Sequence, residues 1–142
     1  MDPKDTDIRQ LIPQRKPILM VDELVDATEN VAKTQLTIRP DNWFLNEQGQ
    51  LTEPGLIEHM AQSASAAAGW KALQAGQQDP PVGFIGEVKR FICHSCPQTG
   101  STLHTTVTKE MEVGDVTMVS CETRVGDELI ASTLLKIAIE KS

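Results

Sequence analysis

Apolar and polar residues alternate along much of this chain. In "NVAKTQLTI" (30–38), Val31, Lys33, Gln35 and Thr37 fall on one side, and Ala32, Thr34, Leu36 and Ile38 on the other. That period of two predicts a strand with one buried face. "PILMVDELVD" (17–26) is an apolar run rich in branched residues and predicts a strand before it, with "ATEN" as the turn of a hairpin. Residues 39–55 are punctuated by Pro, Asn and Gly and predict a loop. A helix follows over about 54–75. Pro54 disfavours helical angles for Glu53 and is itself comfortable at a first helical position, so Glu53 is the expected cap. Five of the six residues from Ala64 to Gly69 are Ala or Gly, which makes a thin helix that a sheet can approach closely.

Four more strand-like segments come without another helix, at 82–93, 101–111, 115–125 and 128–140, with "EVGD" and "VGDE" as turns between neighbours. Two strands, one long helix and four strands predict an α+β domain, an antiparallel sheet with one helix on a single face. The 142 residues fit one domain spanning 1–142. With a 39% hydrophobic fraction the chain has enough apolar material for a core.

Charge and targeting signals narrow the partners. The net charge is −7 and no basic stripe is present, so a phosphate backbone would be repelled and no nucleic-acid partner is expected. No apolar run approaches the ~18–20 residues of a membrane span, so no membrane partner is expected either. "MDPKDTDIRQ" is polar and mixed in charge, unlike a signal or transit peptide, and a cytoplasmic location is the default expectation. Basic residues gather only at "QRK" (14–16) and "VKR" (88–90). These are either solvated strand ends or a docking patch for an acidic partner.

Three cysteines, an odd number, argue against a disulfide framework. Cys93 and Cys96 form a C-x-x-C around His94, half of a structural zinc site with no second pair after it. A redox pair would need a helix to start at the first Cys, where this sequence has strands on both sides. No metal and no cofactor are expected.

The order of elements resembles the hot-dog fold, and within it the small 3-hydroxyacyl-[acyl-carrier-protein] dehydratases. "LIPQRKPILMVDELVD" is similar to their opening Leu-Pro-x-Arg-x-Pro-x-Leu-x-Val-Asp, and "PGLIEHMAQSASA" to their helix, which reads Glu-x-Met-Ala-Gln after a Pro-Gly. "GFIGEVKRFICHSCPQTGSTL" and "VGDELIASTLL" resemble the later strands, so the likeness spans residues 11–139. Within the family, "GLIEHMAQ" resembles the dehydratase-like proteins of aryl-polyene gene clusters, with one extra residue before the Glu. The resemblance implies an acyl thioester substrate on an acyl-carrier protein or coenzyme A, and a homodimer or larger oligomer with active sites between subunits.

Dehydrating a 3-hydroxyacyl thioester requires a base at the carbon beside the thioester, an acid at the leaving hydroxyl, and donors at the thioester oxygen. Glu58 matches the family's catalytic acid. Gly55, Leu56 and Ile57, in the first helical turn, are the expected amide donors, with Gly55 leaving room for substrate. Gln62 lies one turn beyond Glu58 and is either an orienting partner or an ordinary buried Gln. The resemblance puts Phe84, Ile85 and Gly86 on the strand lining the tunnel, and Lys89 and Arg90 where the carrier protein docks; Trp43 and Phe44 in the loop either cover the tunnel or serve as anchors. Asp22 is expected to tie down the N-terminal segment.

The family's basic His, in a Gly-His-Phe-Pro-Gly loop, has no counterpart in "WFLNEQGQLTEPG", and a second position that often carries His is Gln14 here. His59 is a second catalytic candidate, although neighbours on a helix diverge by ~100°. His94 and His104 are weaker ones. Several readings stand: a dehydratase with an unconventional base such as Glu47 or His59, a subunit completed by a His-bearing hot-dog partner, a thioesterase working with one carboxylate and helix amides, or a non-catalytic acyl-binding module.

Overall fold

The computed structural model describes residues 2–77 and 83–139, with backbone alone for Gly83, Phe84 and Ile139. Two short 3-10 turns, Pro3–Asp5 and Ile8–Gln10, precede strands β1 (Glu23–Ala27) and β2 (Val31–Thr37). Helix α1 (Glu53–Gln74) comes next, and then β3 (Gly83–Cys93), β4 (Thr102–Val113), β5 (Val116–Val125) and β6 (Glu128–Ile139). The strands form one antiparallel sheet in the order β1-β2-β4-β5-β6-β3. An antiparallel sheet packed on one long helix is the hot-dog fold.

The alternation read in β2 holds: Ala32, Thr34 and Leu36 are buried, Lys33 is exposed, and Val31, Gln35 and Thr37 are half-buried. The buried rows meet α1 in a core that includes Leu24, Leu36, Leu56, Met60, Leu103, Val107 and Leu135. A hydroxyl pair ties helix to sheet, with Thr34 Oγ1 at 2.7 Å from Ser63 Oγ, which also donates to His59 O at 2.8 Å. Gly69 lets the helix rest on the N-terminal segment, since a Cβ there would overlap the Leu11 carbonyl. Among the described residues no helix is long and apolar enough to cross a membrane.

Two expectations need correction. Of the run at 17–26 only the last four residues are in a strand, Glu23–Ala27. Its earlier part is a turn and an extended segment in which helix side chains bond Ile18 O and both backbone groups of Met20, and only Asp22 N–H reaches β2, at Gln35 O. The helix cap is Thr52, not Glu53. Thr52 has extended angles (ψ 165°) and its hydroxyl accepts from Gly55 N–H, so Glu53 becomes the first helical residue. The loop before the helix is also well tied. Asn46 Oδ1 accepts from the amides of Gln48 and Gln50, and Leu51 N–H donates to Pro97 O at 2.8 Å.

Candidate active site

Glu58 sits in the second turn of α1, half-buried, and its Oε1 accepts a hydrogen bond from Gln62 Nε2 at 2.8 Å. The four-residue spacing stacks the two side chains on one helix face. Gln62 is 1% exposed and every amide atom of it is used. Its Nε2 also donates to Ile18 O at 2.8 Å, and its Oε1 accepts from Met20 N–H at 2.6 Å. The N-terminal segment thus locks the Gln62 amide in one orientation, and that amide aims one donor at Glu58. Asp22 anchors the same segment, accepting from Thr37 N–H at 2.8 Å and from Arg39 Nη1 at 3.0 Å.

His59 points elsewhere, at 0% exposure. Its Nδ1 lies 2.7 Å from Met20 O and its Nε2 2.7 Å from Thr105 Oγ1, which is 2.6 Å from Thr123 Oγ1. A carbonyl only accepts, so Nδ1 carries the proton and Nε2 accepts from the Thr105 hydroxyl, with Thr123 donating in turn. Burial pushes the imidazole down from 6.5 to about 4, against the Met20 carbonyl and the charge of Asp22, so the ring is neutral.

A groove of about 490 Å³ opens along the Glu58 face of the helix. Gln14, Glu58 and Gln62 supply polar atoms, and Ala61, Ala64, Ala68, Val107, Val119 and Ile137 supply apolar walls. Lys71, Lys109, Glu29 and Glu112 also line it, near the later turns of the helix. Lys71 is held below the usual lysine range by burial first and then by the neighbouring charge of Lys109. From Glu58 to Lys71 the helix advances about 20 Å at 1.5 Å per residue. The small residues that looked built for burial therefore also clear one side for an elongated guest.

The structure brings only some of the predicted site residues to this groove. Glu58, Gln62 and Ile85 line it, whereas His59 does not. Leu56 is wholly buried, and its N–H is taken by Thr52 O at 3.0 Å, so it offers no free donor. Gly55 N–H has only a long contact of 3.4 Å to Thr52 Oγ1. Gly55 admits the protein's own loop instead of leaving open space: a Cβ there would lie 2.6 Å from Phe44 Cβ and 2.8 Å from Leu51 Cδ1. Phe44 is accordingly half-buried against the helix start, and Trp43 is 64% exposed. Ile57 is half-buried and Gly86 is exposed on β3; neither lines the groove. The Phe84 side chain lies outside the described residues. Lys89 and Arg90 are exposed, with Lys89 3.7 Å from Glu87. His94 and His104 are exposed and away from the groove, and Glu47 is on the exposed loop. Cys93 Sγ and Cys96 Sγ are 4.0 Å apart, and burial, then Cys96, push the Cys93 thiol up to about 11, so it is not activated.

Gln14, Lys71 and Lys109 line the groove without having been named as site residues from the sequence for their own chemistry. The helical spacing Glu58-Ala61-Ser65-Ala68, one small face ending near Lys71, was the available signal.

Comparisons with known proteins agree with this architecture. The model of a family described as "ApeP-like: ApeP dehydratase" matches residues 6–141. A 3-hydroxyacyl-[acyl-carrier-protein] dehydratase FabZ of Lactobacillus helveticus is 28% identical over 138 residues, covering 94% of this chain and 90% of the relative. The enzyme of the same name from Lactiplantibacillus plantarum is 29% identical over 139 residues, covering 94% and 92%. Among solved structures, the dehydratase heterocomplex ApeI:P from Xenorhabdus doucetiae superposes with a TM-score of 0.89 at 18% identity, covering 96% of this chain and 93% of that one.

Proposed function

Because this chain belongs to the ApeP-like dehydratase family, we propose that it works as a 3-hydroxyacyl-thioester dehydratase subunit, taking an acyl chain on a pantetheine arm into the groove beside Glu58. The observation that carries this reading is the Glu58 carboxyl, positioned by Gln62 in a groove whose walls beyond it include Ala61, Ala64, Ala68, Val107 and Val119. Glu58 in its protonated form delivers a proton to the 3-hydroxyl as it leaves, and Gln62 keeps the carboxyl facing the substrate.

The elimination also needs a base. The groove's titratable lining among the described residues is Glu29, Glu58, Lys71, Lys109 and Glu112, with no His. His59, neutral and bonded at both nitrogens, serves this reading as an anchor that holds the Met20 segment under Gln62. A base supplied by a second hot-dog subunit completes the site. Among the described residues β3 ends the sheet with no strand on its outer side, and it exposes Ile85 (41%), Val88 (38%) and Ile92 (49%), an edge suited to pairing with another subunit. The likeness to a heterocomplex supports a different subunit there as readily as a second copy.

The test is to incubate the chain with 3-hydroxyacyl and plain acyl thioesters of acyl-carrier protein and coenzyme A, alone and with a His-bearing hot-dog subunit. Enoyl product from the mixture is the expected result. Free thiol would assign a thioesterase instead, and no product under any condition would leave an acyl-binding module.

A further inference from the structure

Gln14 carries a feature that the site as described leaves unused. Its side-chain Oε1 is buried and has no hydrogen-bond partner; among the described residues no other buried side-chain oxygen or nitrogen is in that state. Buried carbonyls of this kind are uncommon, because each forfeits its hydration without recompense. The Gln14 side chain lines the same groove as Glu58 and Gln62. Its backbone is fixed from outside. Arg15 Nη1 donates to Gln14 O at 2.9 Å and to Ile12 O at 2.8 Å, and Arg15 Nη2 donates to Arg9 O at 3.0 Å. On its other side the segment is fastened to Gln62 through Ile18 O and Met20 N–H. A rigid backbone mount therefore holds Gln14 at the wall of a groove whose proposed guest carries donors, with an idle acceptor that is closed to water as the side chain stands and that a rotation of the side chain would turn to the guest.

Building on the dehydratase reading, we propose that Gln14 is a substrate-positioning residue whose amide carbonyl accepts the hydrogen of the substrate's 3-hydroxyl group. The chemistry is complementary. A hydroxyl has one hydrogen and two lone pairs. The proton from Glu58 arrives on a lone pair, the C–O bond breaks with its electrons going to oxygen, and water leaves. The hydroxyl's own hydrogen takes no part in that transfer, and an acceptor holding it aims a lone pair at Glu58. Gln14 thereby selects acyl chains that bear the 3-hydroxyl over chains that lack it.

The experiment measures binding of two non-hydrolysable thioether analogues, 3-hydroxyacyl-pantetheine and the matching saturated acyl-pantetheine, by calorimetry on the assembled protein. Wild type is compared with Gln14→Met and, as a second apolar replacement, Gln14→Leu. Wild type is expected to prefer the hydroxylated analogue, and both variants to lose that preference by roughly three- to tenfold while binding the saturated one as before. Their melting temperature is expected to hold or rise, since an unpaired acceptor has been removed. Equal weakening of both analogues, an unchanged preference, or a lowered melting temperature would overturn the role of Gln14 and leave the dehydratase reading standing. Binding of neither analogue by wild type would overturn both.

Discussion

Glu58 and His59 are consecutive residues on one helix and live in different chemical worlds. Glu58 looks into a groove of about 490 Å³, where a single bond from Gln62 steadies it and the rest of its carboxyl is free for a guest. His59 is sealed, with Met20 O and Thr105 Oγ1 occupying both ring nitrogens and no exposed surface. The ~100° step between helical neighbours is the whole cause. A titratable group next to a catalytic candidate in sequence is thus a poor guide to catalysis, and the better signal is four residues away, at Gln62. The two faces also cooperate. Met20 is gripped through its carbonyl by His59 and through its amide by Gln62, so the sealed face steadies the open one.

That contrast can be broken from either side. The largest effect is expected from Glu58→Gln, which keeps an acceptor for Gln62 but removes the transferable proton. Enoyl formation by the assembled enzyme should fall by about 10²–10⁴-fold, with stability within about 0.5 kcal/mol of wild type, as read by product assay and chemical denaturation. His59→Leu should do the reverse. It strands the Met20 carbonyl in the core and leaves the Thr105 hydroxyl with Thr123 alone, and unfolding free energy should drop by about 2–5 kcal/mol.

The pH profile of stability sharpens the same point. The imidazole titrates at 6.5 in the unfolded chain and at about 4 in the folded one. Between those values the unfolded state takes up a proton that the folded state refuses. The His59 contribution is therefore intact above pH 6.5 and is lost progressively down to about pH 4, by about 3 kcal/mol in all. Denaturation midpoints across that range should show the slope in wild type and lose this component in His59→Gln. A smaller effect is expected at Gly69→Ala, on the closed side of the helix, where the new methyl meets the Leu11 backbone. Overpacking there should cost about 1–3 kcal/mol in the same unfolding measurement.

The sheet and the helix were legible because alternation in β2 and the long small-residue helix are local patterns that burial then obeys. The segment before β1 was not. Its apolar run reads as a strand, yet Met20 finds its backbone partners in the side chains of Gln62 and His59, residues about forty positions away, and no local pattern carries that information. The cap was misplaced by one residue for a similar reason. The restriction that Pro54 places on Glu53 pointed one residue too far, and Thr52, a preferred capping residue whose hydroxyl also donates to Phe44 O at 2.8 Å, takes the position. Glu58 and Gln62 were legible through a motif and its four-residue spacing. Gly55 was read as space for substrate, whereas Phe44 and Leu51 occupy that space, a matter of tertiary packing. Gln14 drew notice only as a missing His, and its idle carbonyl became visible once the groove was in place.

The most direct test of the central claim is to locate the acyl chain itself. A pantetheine thioether bearing a photoreactive acyl chain would be irradiated with the assembled protein, and the labelled peptides mapped by mass spectrometry. Labels on the Glu58 face of α1, at Ala61, Ser65 or Ala68, or on facing Val107 and Val119, are the expected result. Labels confined to surfaces outside this groove, with none on that helix face, would contradict it.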